Sequence, residues 1–559
     1  MKKTRKILVT CLVFAFLCMN MLMYCVLDTP IAEAKIYSNA TLEDDFADDR
    51  VMVVLNQQST RAGKEYTKSD FTSIGSKSVI NYFVQDKNNT REISEDARQI
   101  LRINLNTKSK QNVLDTIDAL MKDENVLYAG PDYKLTLGEQ RSAIDDDTAT
   151  NNSTYETRLG LAQAWSIAGT ATVKVGVLDS GINSNHEDLL GRVNTTLGCE
   201  IDEDDCIPIL NGGQPHSSAA SHGTQVAGII GAIANNNKGF NGVCQTAELV
   251  SINFCQSTSQ GYASQAIAGI QYADTNNIPI LCMSSWYYDG YDRYDMSFKT
   301  AIDQYDGLFV SIAGNNGVEI TDTERYYPAL YDCDNLIIVG AMGRGLTRSD
   351  SSNYSSTYVD LFAPGVRVFT TTLSSSAGAT NSSYAAVSGT SFAAPFVAGA
   401  AAMLLSKYPT MNAHQIKHTI LANKVTAPLL GGLCKTGGYL NVYSALANPI
   451  TTHSFGAYIS TDSLTHHKIC SVCEHRIEYN HEKSYSQITS TQHCESCSSC
   501  SYNRVVSHTF TTVSTTATDH LVRCACGYEK SGIHVWMSIS MGGYVCKVCN
   551  RFSNSLPGL

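Results

Sequence analysis

Ser391 lies in a run of small residues, 388–391, directly before an apolar segment with helical spacing. A hydroxyl at the start of a helix lies near backbone N–H groups that can stabilise a developing oxyanion. Because a serine hydroxyl is a weak nucleophile until a base accepts its proton, a partner is required. His222 is a candidate base, and Asp179, which follows an apolar strand-like run, is a candidate to orient the imidazole. The three residues predict acyl transfer by a serine nucleophile.

Asn315 follows a second apolar run and is flanked by small residues and glycines. Its side-chain amide and the Ser391 backbone N–H would donate to the oxyanion, and one such donor is worth ~3 kcal/mol of barrier. Taken singly, each of these four residue types has an ordinary role as a turn, cap or packing residue. Taken together, their segments resemble the subtilisin-like serine protease (subtilase) family. The resemblance implies a peptidase with Asp179, His222 and Ser391 as catalytic residues and Asn315 in the oxyanion hole.

Continuous apolar runs alternate with helical patterns between residues 155 and 448. Strands are predicted at 173–178, 249–254, 278–283, 308–312 and 336–339, and helices near His222, Tyr262, Ser391 and Asn412. This alternation indicates an α/β fold, a doubly wound parallel sheet covered on both faces. Active sites in such folds lie at the carboxyl ends of strands, which is where Asp179 and Asn315 fall. The resemblance makes the expected fold subtilisin-like.

The substrate cleft is expected beside the strand that leads into Ser284, Ser285, Trp286 and Tyr287. In the family, glycines here line the pocket for the substrate residue before the scissile bond. Two large rings in their place would narrow or reshape that pocket. The family's preference for large apolar substrate residues before the scissile bond is therefore not assigned to this chain. The backbone of residues 284–286 is expected to pair with an extended substrate, and Gly314 is assigned to the same cleft.

A calcium site is a further implication of the resemblance. Asp188 matches a calcium ligand of the family, and the loop containing Asn235 and Asn237 resembles the partner loop, with one extra residue. A hard cation prefers clustered oxygen ligands of this kind. The alternative is a polar loop at a helix end. No cofactor is expected for the chemistry itself.

The N-terminal part of the chain predicts export. Residues 1–34 combine a basic start, an apolar stretch at 7–27 and the small-residue site Ala32-Glu33-Ala34, as in a signal peptide. An uncleaved membrane anchor is the alternative. Residues 35–140 predict a small α+β domain, with strands at 51–55 and 125–128, the second ending near 131–133, and a helix at 113–121. The resemblance implies a propeptide that assists folding and inhibits the enzyme. An unrelated domain is the alternative.

Residues 141–154 are polar and predict an exposed linker with the maturation site, ahead of a peptidase domain at 155–448. The net charge of −11 and a pI near 5.7 argue against nucleic acid as a partner. The expected partners are polypeptide substrates and the chain's own propeptide. The expected location is secreted or at the surface of a bacterial cell.

The C-terminal part, residues 449–559, is a repeat rich in cysteine and histidine. A C-x7-H spacing recurs three times, with a second cysteine before each pair, and the series closes with a fourth cysteine pair: Cys470, Cys473 and His481; Cys497, Cys500 and His508; Cys524, Cys526 and His534; Cys546 and Cys549. With the upstream His467, His493 and His520, each full repeat offers two Cys and two His, the ligands of structural zinc. Disulfides are the alternative in an exported chain.

Similar Cys/His repeats occur at the ends of surface proteins from anaerobic bacteria, a loose resemblance. Wall attachment, substrate docking and added stability are the roles open to this segment. Within the peptidase segment, Cys199 and Cys206 flank an acidic loop and could pair.

The sequence therefore predicts a secreted subtilisin-like serine endopeptidase that matures by removing its own propeptide. Two alternatives remain at this point. One is a catalytically silent subtilisin-like domain used for binding, and the other is a processing protease of narrow specificity.

Overall fold

The computed structural model describes residues 35–61, 63–83, 97–137, 152–204, 206–215, 221–255, 260–289, 295–374, 382–461, 465–489, 491–515, 519–533, 536–538, 544–546 and 552–553. The predicted signal peptide and residues 141–151 of the linker lie outside these ranges. The chain divides into two compact units, residues 1–449 and 450–559. The first contains an N-terminal domain (residues 35–137) and a central domain (residues 152–448), and the second is called the tail.

The N-terminal domain is an antiparallel sheet with one long helix packed on it. Its elements are β1 (Ile36–Tyr37), β2 (Phe46–Leu55), α1 (Gln57–Arg61), a 3-10 turn (Lys68–Ile74), β3 (Ser76–Tyr82), β4 (Ile100–Leu105), α2 (Lys110–Leu120) and β5 (Val126–Leu137). The apolar face of α2, with Val113, Ile117 and Leu120, is buried against β2 and β5. Strand β5 runs to Leu137, well past the predicted end near residue 133.

The central domain is built on one large twisted sheet. Its elements are α3 (Ser153–Leu159), α4 (Leu161–Ser166), β6 (Val173–Asp179), β7 (Cys199–Ile201), β8 (Pro208–Ile209), α5 (His222–Gly231), β9 (Ala247–Asn253), β10 (Gln260–Tyr262), α6 (Ala263–Thr275), β11 (Ile280–Met283), β12 (Ser285–Asp289), α7 (Met296–Gln304), β13 (Leu308–Ile312), β14 (Arg325–Tyr327), β15 (Leu336–Met342), β16 (Leu361–Pro364), β17 (Val368–Leu373), β18 (Ser382–Val387), a 3-10 turn (Thr390–Phe392), α8 (Ala394–Lys407), α9 (Ala413–Ala422), β19 (Val425–Thr426), a 3-10 turn (Pro428–Leu430), β20 (Gly438–Tyr439) and α10 (Val442–Ala447).

The sheet has the strand order β19-β20-β16-β15-β13-β11-β6-β9-β7-β8, and the pairs from β20 to β7 are parallel. Most residues of its central strands are buried, as expected for a parallel sheet that helices cover on both faces. The doubly wound parallel fold predicted from the sequence is therefore confirmed. Helix α8 and the turn before it are long and apolar enough to span a membrane, but 94% of that segment is buried, as in a core helix.

The tail consists of short antiparallel sheets. Its described strands are β21 (Ile459–Ser460), β22 (Thr465–Ile469), β23 (Arg476–Asn480), β24 (Lys483–Gln487), β25 (Gln492–Cys497), β26 (Asn503–Ser507), β27 (Phe510–Thr515), β28 (Asp519–Cys524), β29 (Glu529–Ile533), β30 (Trp536–Ser538), β31 (Tyr544–Cys546) and β32 (Phe552–Ser553). They pair in consecutive threes, so each sequence repeat forms one three-stranded meander.

Candidate active site

Asp179 and His222 form a buried hydrogen-bonded pair at the carboxyl edge of the central sheet. Asp179 is the last residue of β6 and His222 is the first residue of α5. The imidazole Nδ1 lies 2.9 Å from both carboxylate oxygens, and Oδ1 also accepts from the Ser180 N–H at 2.7 Å. Asp179 is fully buried and His222 is 9% exposed. A carboxylate held in this way keeps Nδ1 protonated, which leaves Nε2 as the basic nitrogen.

Ser391 lies in the 3-10 turn that leads into α8, with Pro395 in the first turn of the helix. Its hydroxyl is buried and donates to the Ser284 carbonyl oxygen at 3.5 Å. The next residue, Phe392, packs on the His222 ring with centroids 5.5 Å apart. The imidazole Nε2 is buried and has no hydrogen-bond partner among the described residues. The fold therefore places the turn that carries Ser391 against His222, and their roles as nucleophile and base stay a prediction.

Asn315 holds its side chain against the turn that carries Ser391. Its Oδ1 accepts from the Thr390 N–H at 2.8 Å and from the Thr390 hydroxyl at 2.9 Å. These two donors fix the orientation of the amide, so that Nδ2 is the free end. Nδ2 is buried and has no hydrogen-bond partner among the described residues. A fixed, uncommitted N–H donor beside a nucleophile is the arrangement that an oxyanion hole requires.

Gly314 has a local reason to be glycine. Its φ is +98°, and a Cβ there would lie 2.5 Å from Asn353 Nδ2. That amide donates to the Ala313 carbonyl at 3.0 Å, and the Asn353 N–H donates to the Gly314 carbonyl at 2.9 Å. Asn353 thus holds the loop that carries Asn315, a role that the sequence motifs did not indicate.

The end of β5 lies in the cleft beside these residues, between β10 and β12. Thr136 pairs antiparallel with Gln260 on one side and with Trp286 on the other, and Leu137 pairs with Ser285. Ser284 directly precedes β12. Its hydroxyl donates to the Ser391 carbonyl at 3.1 Å, which ties the start of β12 to the turn that carries Ser391. The backbone of residues 285–286 therefore pairs with an extended strand of the same chain, and pairing of residues 284–286 with a substrate stays a prediction.

Trp286 and Tyr287 point to opposite faces of β12, as neighbours on a strand do. The Trp286 ring packs on Tyr326, with centroids 5.2 Å apart, and a Cβ on Gly314 would lie 3.3 Å from that tyrosine. Tyr287 instead stacks between Tyr133 of the N-terminal domain and Tyr327, at 5.5 and 5.0 Å. Tyr287 therefore packs among rings on the other face of β12 from Trp286, and the ring that contacts Trp286 is Tyr326, which sequence reasoning missed.

Three comparisons with known proteins agree with this geometry. The model of the Subtilase family matches residues 170–457, slightly more than half of the chain. The chain belongs to the subtilase family. It is 35% identical over 279 residues to Subtilisin NAT from Bacillus subtilis subsp. natto, covering 49% of this chain and 66% of that protein, slightly less than two thirds of it. It is 34% identical over 279 residues to Subtilisin from Bacillus pumilus, covering 49% and 91%.

Thermitase from Thermoactinomyces vulgaris is 30% identical to this subtilase over 286 residues, which are 51% of this chain and 92% of thermitase. Among solved structures, fervidolysin from Fervidobacterium pennivorans, described as a keratinolytic enzyme related to subtilisin, superposes with a TM-score of 0.60. The superposition covers 90% of this chain and 93% of fervidolysin at 17% identity. At that identity the likeness shows the fold alone.

The predicted calcium ligands of the subtilase domain lie together only in part. Asp188 is buried, its Oδ1 accepts from Asn236 Nδ2 at 2.6 Å, and its Oδ2 is buried without a hydrogen-bond partner among the described residues. Burial raises the pKa of this carboxyl. The Asn235 and Asn237 side chains are exposed, and both residues adopt a left-handed backbone conformation. The middle asparagine of the loop, rather than its two neighbours, is therefore the one at Asp188.

The cysteines and histidines of the tail also lie together, but across repeats. His466 and His481 group with Cys497 and Cys500, and the corresponding residues of the next repeat group in the same way: His493, His508, Cys524 and Cys526. The grouping by C-x7-H spacing within a repeat is therefore wrong, and His466 replaces the predicted His467.

Three tail residues of the first repeat, His453, Cys470 and Cys473, also lie within 4.8 Å of one another. His534 and Cys549 lie outside the described residues, as do the side chains of His520 and Cys546. In the central domain, Cys199 and Cys206 are free buried thiols, so the pairing that the sequence allowed is not present.

Proposed function

We propose that this protein is an exported serine endopeptidase. The observation that carries the proposal is made at the carboxyl edge of the central sheet. There the turn of Ser391 contacts both His222, which Asp179 orients, and Asn315, whose amide Nδ2 has no hydrogen-bond partner among the described residues. Ser391 Oγ attacks the scissile carbonyl carbon while His222 Nε2 accepts the hydroxyl proton, and Asp179 stabilises the resulting imidazolium. The oxyanion accepts hydrogen bonds from Asn315 Nδ2 and the Ser391 N–H.

The tetrahedral intermediate then collapses with cleavage of the C–N bond. The leaving amine takes the proton from His222 Nε2, and the acyl group remains on Ser391. Water attacks this ester with His222 again acting as base, and release of the carboxylic acid restores the free serine hydroxyl. The residues between 170 and 457 supply every group that these reaction steps need, with no cofactor.

The N-terminal domain acts as the propeptide and inhibitor. Its strand β5 fills the strand position between β10 and β12 that a substrate would need. A domain that holds its own C-terminal strand in the cleft blocks access to Ser391 until it is cut and released. Export follows from the signal-like segment at residues 1–34.

The register of β5 points to the maturation bond. Leu137, the last described residue of β5, pairs with Ser285, whose neighbour along the chain is Ser284. The Ser284 carbonyl lies 3.5 Å from Ser391 Oγ. The residue after Leu137 is Gly138, which is not among the described residues. We therefore infer self-cleavage between Gly138 and Glu139, slightly ahead of the linker predicted at 141–154.

Glycine at this position agrees with the rings in the cleft. Trp286 and Tyr326 pack beside Gly314 where a side chain of the residue before the scissile bond would enter. Only a very small residue fits there without displacing an aromatic ring. The protease is therefore narrow in specificity, with glycine or alanine before the bond, and this favours processing of selected extracellular proteins over general degradation.

Calcium is proposed at Asp188 as a structural ion. Asp188 Oδ2 is buried without a hydrogen-bond partner among the described residues, and Asn236 lies beside this carboxylate. These groups fit in part a hard cation, which prefers oxygen ligands. Asp188 and a rearranged Asn236 would hold it, since the observed Asn236 contact is through the amide nitrogen.

The deciding experiment compares the full chain with its Ser391→Ala variant. Removal of residues 1–138 should shorten the native chain by about a quarter, and sequencing should place Glu139 at the new N-terminus. The native chain should also take up a fluorophosphonate probe, whereas the variant should keep its N-terminal domain and stay unlabelled. If the native chain is neither shortened nor labelled, the silent binding domain becomes the better description.

A further inference from the structure

The interior of the tail is made almost entirely of metal-binding residue types. Among the described side chains from residue 450 onward, the buried ones are four histidines, four cysteines and one valine: His466, His481, His493, His508, Cys470, Cys473, Cys497, Cys524 and Val522. A chain segment of this size normally needs an apolar core to offset the conformational entropy lost on folding. With one aliphatic side chain buried among those described, the hydrophobic effect alone does not explain why the described sheets hold together.

The four buried histidines and two of the buried cysteines meet in two tetrads, each completed by one half-buried cysteine. In the first tetrad, Cys497 Sγ lies 3.5 Å from His466 Nδ1, and Cys500 Sγ lies 3.4 Å from His481 Nδ1. All four ligand atoms lie within 4.8 Å of one another. Tetrahedral zinc with ordinary Zn–S and Zn–N bond lengths places sulfur and nitrogen about 3.5 Å apart. The spacing is therefore that of ligands around one ion.

The second tetrad repeats the arrangement in the following repeat. Cys524 Sγ lies 3.5 Å from His493 Nδ1, and Cys526 Sγ lies 3.4 Å from His508 Nδ1. His508 Nε2 lies 3.0 Å from the Thr489 carbonyl, to which it can donate. That hydrogen bond leaves Nδ1 without a proton and facing the two sulfurs, as second-shell partners do at zinc sites.

Each tetrad joins two repeats. His466 lies in β22 and His481 directly follows β23 of the first meander, whereas Cys497 and Cys500 lie at the turn between β25 and β26 of the second. Both cysteines are free thiols. A Cys2His2 set with two thiolates and two imidazoles favours Zn²⁺ over the hard cations, which prefer oxygen ligands.

We propose that the tail binds two structural Zn²⁺ ions, one in each tetrad, and that each ion clamps the histidines of one repeat to the cysteines of the next. Each ion displaces one proton from each of its two thiols to solvent. The repeats are thereby linked in series, so the tail is ordered by metal rather than by an apolar core.

The test uses the full chain carrying Ser391→Ala, which prevents self-digestion. Zinc content is measured after dialysis, and each cysteine is followed by alkylation and peptide mass spectrometry. Cys497→Ser with Cys500→Ser should remove one zinc per chain, and Cys524→Ser with Cys526→Ser should remove another. Cys494→Ser is the matched control, because this cysteine lies on β25 outside both tetrads with its sulfur on Asn503.

The link between repeats is tested by His481→Ala. We expect alkylation of Cys497 and Cys500 to become at least about tenfold faster, while Cys470 and Cys473 keep their native rate. His481→Cys, which supplies a replacement ligand, should restore the protection and so distinguishes ligation from loss of folding. Exposure of Cys470 and Cys473 instead would overturn the linkage between repeats. Cysteines that react only after reduction, and not after chelation, would overturn the zinc sites.

Discussion

Asp132 of the N-terminal domain caps a helix of the central domain through Ser264. Its Oδ1 accepts from the Ser264 N–H at 2.9 Å, and its Oδ2 accepts from the Ser264 hydroxyl at 2.6 Å. Ser264 is the second residue of α6, so the carboxylate faces the positive end of that helix. Asp132 is fully buried, and Arg50 Nε lies 3.3 Å from it. One buried carboxyl group thus joins the N-terminal domain to the central domain.

Asp132→Ala should speed release of the inhibitor. A hydrogen bond to a charged group is worth about 1.5–3 kcal/mol, which corresponds to roughly ten- to hundredfold weaker association. We expect a correspondingly shorter lag between self-cleavage on a gel and full activity. Asp118→Ala on the exposed face of α2 is the control and should keep the native lag. Equal lags in both variants would show that the Asp132 contacts do not govern release.

Asn315→Ala should lower kcat about 10²- to 10³-fold with little change in KM, because the amide acts on the oxyanion and not on the bound substrate. Asn315→Asp keeps the acceptor that holds Thr390 but loses the donor, so it should be equally slow. Asn316→Ala, at the exposed neighbouring position, should retain native kcat. A rise in KM alone would instead assign Asn315 to substrate binding.

Gly138→Leu should block maturation, since the leucine side chain meets Trp286 and Tyr326. Trp286→Gly in the same chain should reopen the pocket and restore cleavage at residue 138. Gly138→Ala serves as the control, because a methyl group is the smallest addition. The measurement is the fraction of shortened chain with time, with the N-terminus sequenced. Normal processing of the Gly138→Leu chain at the same bond would contradict the proposed pocket.

Asp295 should make stability fall with rising pH. It caps α7 by accepting from the Ser297 and Phe298 N–H groups at 2.9 and 3.3 Å, yet burial, with the Asp132 carboxylate adding to it, raises its pKa to about 6. The folded protein keeps this carboxyl protonated up to about pH 6, whereas the unfolded chain ionises it near 3.8. Because the folded state binds more protons between these values, stability is lost as pH rises through that window.

Asp295→Asn keeps the cap without the ionisation. In the Ser391→Ala background, the free energy of unfolding is measured with urea at pH 4 and pH 7. Between these values it should fall by on the order of 2–3 kcal/mol more in the chain with Asp295 than in the asparagine variant. Parallel pH dependence of the two chains would mean that Asp295 is not protonated in the folded protein.

Chelation of calcium should lower the thermal unfolding temperature of the native chain. Asp188→Ala should abolish the difference between calcium and chelator, because its carboxylate is the charged ligand of the proposed site. Glu187→Gln is the control next to it, since Glu187 is paired with Lys238. A chelator effect of full size in the Asp188 variant would place the ion elsewhere.

The central sheet, and the positions of Asp179 and Asn315 after its strands, could be predicted because short apolar runs in the sequence indicate each strand directly. The apolar run at 308–312 coincides with β13, and residues 173–178 lie inside β6. The length of β5 could not be predicted in this way. Residues 134–137 alternate polar and apolar side chains, but four residues are a short run, and β10 and β12 extend the strand by supplying partners on both sides.

Ligand sets were harder to predict than ligand types. The spacing of cysteine and histidine in the tail indicates metal binding, but spacing along the chain does not say which repeats pack together. The same limit applies to the loop at Asp188, where one inserted residue shifts which asparagine points inward. Tyr326 was missed because it touches the cleft through Trp286, a contact that only the folded chain reveals.

Departure of β5 would leave β10 and β12 facing each other across a gap one strand wide. Two interstrand spacings amount to about 9–10 Å, which admits a single extended backbone, whereas a helix with its side chains is as wide as the whole gap. Proline at the places of residues 134–137 would forfeit an N–H that the flanking strands accept. Under the proposed function, we therefore expect the cleft to bind loops, termini and unfolded segments, and not residues already engaged in a helix or sheet of their own.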